Sequence, residues 1–156
     1  TVFESHTVAD NIRLALDGER STWSALFGAR NAIGDDRIDA VLERVRLLDH
    51  RERPAGDLSH GQKQWLEIAM LLAQDPKLLL VDEPVAGMTD AETEETAHLL
   101  RDISRTHSVV VVEHDMHFVR LLNVKVTCLH EGAVLAEGSI DSVSANDRVI
   151  EVYLGR

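Results

Sequence analysis

Asp82 and Glu83 stand side by side after a short apolar run, Leu78-Leu79-Leu80-Val81, and Pro84 follows at once. Proline cannot donate to a strand ladder, so the strand must end near it. Four consecutive apolar residues suit a strand buried on both faces, as in a parallel sheet. The two carboxylates are then delivered to the carboxyl end of a strand, where open α/β sheets place their ligands. Adjacent acids at such a position can divide the labour of nucleotide hydrolysis. One holds magnesium; the next orients or deprotonates the attacking water.

Two further places carry candidate chemistry. Ser59 and Gln62 make a Ser-x-x-Gln capping box for a helix running through Trp65, Ile68, Ala69 and Leu72. A helix N-terminus favours an anion, and Gly61 would let that anion approach the backbone closely. His114 follows the run Val109-Val110-Val111-Val112 and Glu113, and precedes Asp115. A lone histidine after a buried strand is more often structural than catalytic. The same bland reading covers His107, His117 and His130, which lack the clustering with cysteine or carboxylates that zinc requires.

The elements that must position these residues change in texture along the chain. Thr7 can cap a short helix carrying Val8, Ile12, Leu14 and Leu16, stopped near Gly18. Residues 21–34, with Trp23, Leu26 and Phe27, have no clear period and read as a loop or short helix. Asp35 or Asp36 opens a clearer helix with Ile38, Val41, Leu42, Val45 and Leu48 at helical spacing. Residues 51–57, with Pro54 and Gly56, read as loop.

After Pro76 strands and helices alternate. Thr89 and Glu92 form a second capping box, for a helix bearing Leu99, Leu100 and Ile103. Four successive valines predict another buried parallel strand. Asp115 can cap a short helix through Phe118 and Leu122. A hairpin then turns at Glu131-Gly132, and residues 139–154 look helical with breaks. The fold class is α/β, with a helical part over residues 1–75 and a β/α part over residues 76–156.

Composition narrows the partners. A net charge of −11 argues against non-specific binding to DNA, RNA or acidic lipid, because neutralising phosphates needs clustered Lys and Arg. Cys128 is the single cysteine, which excludes an internal disulfide and fits a reducing compartment. No apolar run approaches the roughly 20 residues needed to span a bilayer.

Three elements fall in a fixed order: Leu58-Ser59-His60-Gly61-Gln62, the Asp82-Glu83 strand, and Val112-Glu113-His114. This order resembles the ATP-binding subunit of ABC transporters, with its signature motif, Walker B strand and switch histidine. Thr1-Val2-Phe3-Glu4, Gln62-Lys63-Gln64-Trp65-Leu66-Glu67, Val85-Ala86-Gly87-Met88-Thr89 and Val152-Tyr153-Leu154-Gly155 are similar to the branched-chain amino acid and urea uptake branch. Within that branch, residues 62–67 and 86–89 look most like the urea type.

The resemblance implies a P-loop NTPase fold and a role for each matching residue. Asp82 would hold magnesium through water, and Glu83 would polarise the hydrolytic water. Ser59, His60, Gly61 and Gln62 would form the signature turn against the γ-phosphate of ATP on the opposite subunit, with His60 replacing the commoner glycine. His114 would link that phosphate to Glu83. Residues 86–89 occupy the loop that crosses the dimer interface, without the usual aspartate, and Thr89 serves there as the cap of the next helix.

The phosphate loop G-x-x-x-x-G-K-[ST] has no match in this sequence. By resemblance the chain is expected to be a carboxy-terminal piece lacking that first half, and by itself inactive. The phosphate-loop strand would pair with residues 109–112, so their apolar edge is expected to lie open here. The intact protein would use ATP and Mg2+, a second nucleotide-binding subunit, membrane permease subunits and, indirectly, a solute-binding protein. No nucleic acid partner is expected, and the place of work would be the cytoplasmic face of the inner membrane. The rival readings are an ABC-type ATPase acting on DNA or translation, and a non-catalytic module that only docks to partners.

Overall fold

Thr7 accepts the Asp10 N–H on its hydroxyl at 3.1 Å, satisfying one orphan donor at the start of α1 (Val8–Asp17). The computed structural model describes residues 2–17 and 35–154; the stretch with Trp23, Leu26 and Phe27 lies outside them. The described chain forms two units, Thr1–Val112 and Glu113–Arg156.

In the first unit, Val8, Ile12 and Leu16 recur every fourth residue on α1 and are buried. Leu14 falls on the other side of that stripe and is exposed. The helix entry is pinned by Val8 N–H to Arg53 O and Ala9 N–H to Arg51 O, both 3.0 Å.

The next helix, α2 (Asp35–Arg44), buries Ile38 and Leu42. It ends in a Schellman arrangement: Arg46 has φ of 59°, Arg46 N–H donates to Glu43 O, and Leu47 N–H donates to Leu42 O. That left-handed turn swings Leu47, and not Leu48, into the core. Leu47 is fully buried and Leu48 exposed, correcting the helical spacing expected from sequence. Short 3₁₀ turns at Leu48–His50 and Ala55–Asp57 then lead to α3 (His60–Leu72), which buries Gly61, Trp65, Leu66, Ile68, Ala69 and Leu72.

Strand β1 (Leu78–Asp82) pairs in parallel with β2 (Ser108–Val112), with α4 (Asp90–Ile103) as the crossover between them. The register sets Leu80 opposite Val110 and Asp82 opposite Val112. The strands were expected to be buried on both faces, and they are not. Leu79 is 2% exposed while its neighbour Leu80 is 69% exposed, and Val110 and Val112 are exposed with it. Side chains alternate across a strand, and only the odd-numbered face of this two-stranded ladder is packed. Among the described residues β2 has no strand on its second edge.

The second unit begins with α5 (Met116–Leu122), whose cap Asp115 accepts the N–H groups of His117 and Phe118 at 2.8 and 3.0 Å. Asn123 ends it in the left-handed conformation. Strands β3 (Val126–His130) and β4 (Ala133–Gly138) form an antiparallel hairpin turning at Glu131 and Gly132, both at positive φ, as a type I′ turn requires. Helices α6 (Ile140–Ser144) and α7 (Asp147–Leu154) follow. The core of this unit is formed by Phe118, Leu122, Ile140 and Val143.

Candidate functional site

The two acids sit where the strand and proline pattern places them. Asp82 is the last residue of β1, and Glu83 lies just beyond. Both are exposed, while Pro84 and Val85 behind them are buried. The Glu83 N–H still donates to Val112 O at 2.9 Å, so Glu83 is held to the sheet after the strand has ended. Its φ of 46° is unusual for a residue with a side chain and turns the chain sharply. Ala86 N–H closes that turn on Glu83 O at 3.2 Å.

Ser59 is the N-cap of α3, and both halves of its capping box form. Its hydroxyl accepts the Gln62 N–H at 3.2 Å, and Gln62 Oε1 accepts the Ser59 N–H at 3.0 Å. Gln62 also places Nε2 3.0 Å from His50 Nε2. By helix geometry the N–H groups of His60 and Gly61 have no intrahelical acceptor. Ser59 and His60 are exposed at this helix N-terminus, a setting that favours an anion.

The loop following the acids returns to this turn. His60 Nε2 lies 2.9 Å from Ala86 O, and Gly87, at φ 73°, runs past the His60 ring. Thr89 caps α4 by accepting the Glu92 N–H, as the Thr-x-x-Glu spacing predicts. The Glu92 carboxylate does more than close that box. Its Oε2 accepts the Thr89 N–H and hydroxyl, each at 3.0 Å, and its Oε1 accepts the Ser59 hydroxyl proton at 3.1 Å. Hydrogen bonds from the Thr89 backbone and hydroxyl, then from Ser59, with the charge of His60, hold this carboxyl below the usual carboxylate range against the opposing effect of burial.

Ser59, His60, Gly61 and Gln62 are thus brought together with the loop of residues 86–89 within one unit. His114 belongs to the second unit, with an exposed side chain whose Nδ1 is 3.8 Å from Glu113 Oε2. Glu113, its side chain nearly fully buried, accepts the N–H groups of His114 and Asp115 at 2.8 and 3.1 Å.

The residues present fit magnesium held jointly with a nucleotide. Magnesium commonly takes one or two carboxylates and fills its shell with water and phosphate oxygens, and Asp82 offers one exposed hard oxygen donor. Among the described residues no group of three His, Cys, Asp or Glu side chains could form a cage by itself.

Residues 1–86, from the lead-in through the tandem acids, match the family model for ABC transporters. The chain belongs to this family. It is 32% identical over 163 residues to the high-affinity branched-chain amino acid transport ATP-binding protein LivG of Escherichia coli, an alignment covering 99% of this chain and 64% of LivG. It is 37% identical over 116 residues to BraF of Pseudomonas aeruginosa, also a branched-chain amino acid transport ATP-binding protein, over 73% of this chain and 46% of BraF. A nucleotide-free ATP-binding cassette from an ABC transporter is similar in structure, with a TM-score of 0.76 at 26% identity over 98% of this chain and 64% of the cassette. The chain therefore spans about two thirds, or less, of the length of the relatives it matches. Among the described residues no helix is long and apolar enough to cross a membrane.

Proposed function

We propose that this chain carries the signature turn and the hydrolytic acids of an ATPase subunit that powers an ABC importer. The observation that carries the reading is the joining of the Ser59-capped N-terminus of α3 to the loop that follows Asp82 and Glu83. In the intact protein two such subunits close head to tail around ATP. Each site combines a phosphate loop, Asp82 and Glu83 of one subunit with Ser59, His60, Gly61 and Gln62 of the other. Magnesium, when bound, neutralises phosphate charge and aligns its oxygens. Asp82 would hold it through water. Glu83 takes up the proton of the attacking water or orients that water in line. The likeness of His114 to the switch histidine supports a role for it at the γ-phosphate.

Hydrolysis then releases the clamp, and permease subunits on the membrane convert closing and opening into transport. The working place is the cytoplasmic face of the membrane. The names of LivG and BraF support a branched-chain amino acid as the solute. The residues at 62–67 and 86–89 support urea, through their likeness to the urea type.

Glu83→Gln in the full-length protein tests the chemistry. ATP turnover should fall by at least about a hundredfold, the scale of losing a positioned base, while ATP binding stays within about twofold. Undiminished turnover would remove Glu83 from the reaction and the reading with it. ATPase stimulation by solute-loaded binding proteins, with leucine and urea compared, would decide the solute.

A further inference from the structure

Helices α3 and α4 are bonded at two levels, one helical turn apart. At the outer level the Glu92 carboxylate takes the Ser59 hydroxyl; at the inner level Thr96 takes the Trp65 indole N–H at 2.9 Å. Glu92 and Thr96 are four residues apart on α4, and Gly61 and Trp65 are four apart on α3, so each pair lies on one face of its helix. A side chain at Gly61 would push this carboxylate aside. A Cβ there would sit 2.9 Å from Glu92 Oε1. The carboxylate thus lies directly on the backbone of the turn that Ser59 caps.

Each oxygen of Glu92 has its own task. Oε2 holds the loop through the Thr89 N–H and hydroxyl; Oε1 holds Ser59. The second tie between the same two segments is His60 Nε2 to Ala86 O. Ser59 has one proton, and it is directed at Glu92, while its oxygen accepts the Gln62 N–H. Its rotamer is therefore specified by groups on both helices.

We propose that Glu92 is a positioning residue for the signature turn: its carboxylate locks Ser59 to the loop of residues 86–89, so that the backbone N–H groups of the turn and the loop reach a bound nucleotide as one piece. This rests on the reading above that Ser59 faces the ATP of a second subunit. Glu92 itself touches no reacting atom. Its effect runs through Ser59.

Glu92→Gln separates this role from a structural one. Glutamine serves the N3 position of a capping box as glutamate does, so α4 keeps its cap. It has a single acceptor oxygen, and the amide nitrogen that takes the other place cannot accept the Ser59 proton. In steady-state ATPase assays on the full-length protein with its permease, E92Q should raise the half-saturating ATP concentration about tenfold. The maximal rate should stay within about twofold, and the protein should stay folded at the assay temperature, losing only the stability that the carboxylate supplies. The double variant S59A/E92Q should be no worse than S59A, because residues acting as one unit are not additive. Thr89→Ala, which loosens the other holder of the carboxylate, should raise the same concentration several-fold, and Thr89→Ser should restore it.

A normal half-saturation in E92Q, or effects of E92Q and S59A that multiply, would overturn the assignment of Glu92 while leaving the ATPase reading intact. If S59A left half-saturation unchanged while E92Q raised it, a route through Ser59 would be excluded. A full-length protein that hydrolyses no ATP would defeat both proposals at once.

Discussion

The Trp65 indole N–H donates to the Thr96 hydroxyl at 2.9 Å, between two residues buried in the core of the first unit. Thr96 passes its own proton to Glu92 O at 2.7 Å, so both groups are satisfied without water. Thr96→Val keeps the shape and removes the acceptor, leaving a buried indole N–H unpaired. The expected cost is about 1–3 kcal/mol of unfolding free energy. Thr96→Ser keeps the hydroxyl and should lose less. Denaturant midpoints for the two variants, with unchanged slopes, are the check; equal midpoints would mean that this bond contributes nothing.

Acid should loosen the same region. The Glu92 carboxyl is held below the usual carboxylate range, chiefly by the Thr89 backbone and hydroxyl. Glu4, beside Lys63, and Glu137, beside Lys125, are displaced the same way. A carboxylate with a depressed folded-state pKa contributes stability that is full above its unfolded value and lost as pH falls through the folded one. Stability should therefore decline as pH drops from about 5 downwards. The decline should be shallower in E92Q, which has no carboxylate to protonate there. Melting temperatures across that range would show it, and parallel profiles for the two proteins would contradict it.

How much of this was legible in the sequence depended on distance along the chain. Both capping boxes were readable because Ser59-x-x-Gln62 and Thr89-x-x-Glu92 are local, with each partner three residues away. The caps Thr7 and Asp115 and the turn at Glu131-Gly132 were readable for the same reason. The bond between Ser59 and Glu92 spans 33 residues and gives no local signal, so Glu92 was visible only as a cap. The apolar runs predicted the strands but not their faces. Four identical valines have no period, and which face is covered depends on layers that a strand does not encode. Leu47 was missed because Arg46 adopts a left-handed conformation with nothing in its side chain to announce it.

Gly87 gives a purely conformational prediction. Its φ of 73° lies where a side chain is strained, and its missing Cβ would be 3.7 Å from the His60 ring, an ordinary contact. Gly87→Ala should thus cost about 1 kcal/mol through the backbone alone. A loop shifted to relieve that strain would move Ala86 and lengthen its bond to His60. Chemical unfolding gives the first quantity, and the nitrogen chemical shifts of the His60 ring give the second. Wild-type values for both would show that the loop tolerates a side chain here.

The open face of β1 and β2 should govern how the 156-residue chain behaves by itself. Leu78, Leu80, Val110 and Val112 are exposed on one side of the ladder, and β2 has a free edge among the described residues. An apolar strand with unpaired N–H and C=O groups is a template for pairing with another chain. The isolated chain should therefore elute above its monomer mass of 17.3 kDa. Val110→Lys places a charge on the exposed face, leaves the buried Leu79 untouched, and should shift elution towards the monomer. Hydrogen exchange at residues 109–112 supplies an independent readout, because pairing between chains would protect amides that an open edge leaves to water. A monomeric wild-type chain whose elution did not change in V110K would show that the face is not sticky enough to associate.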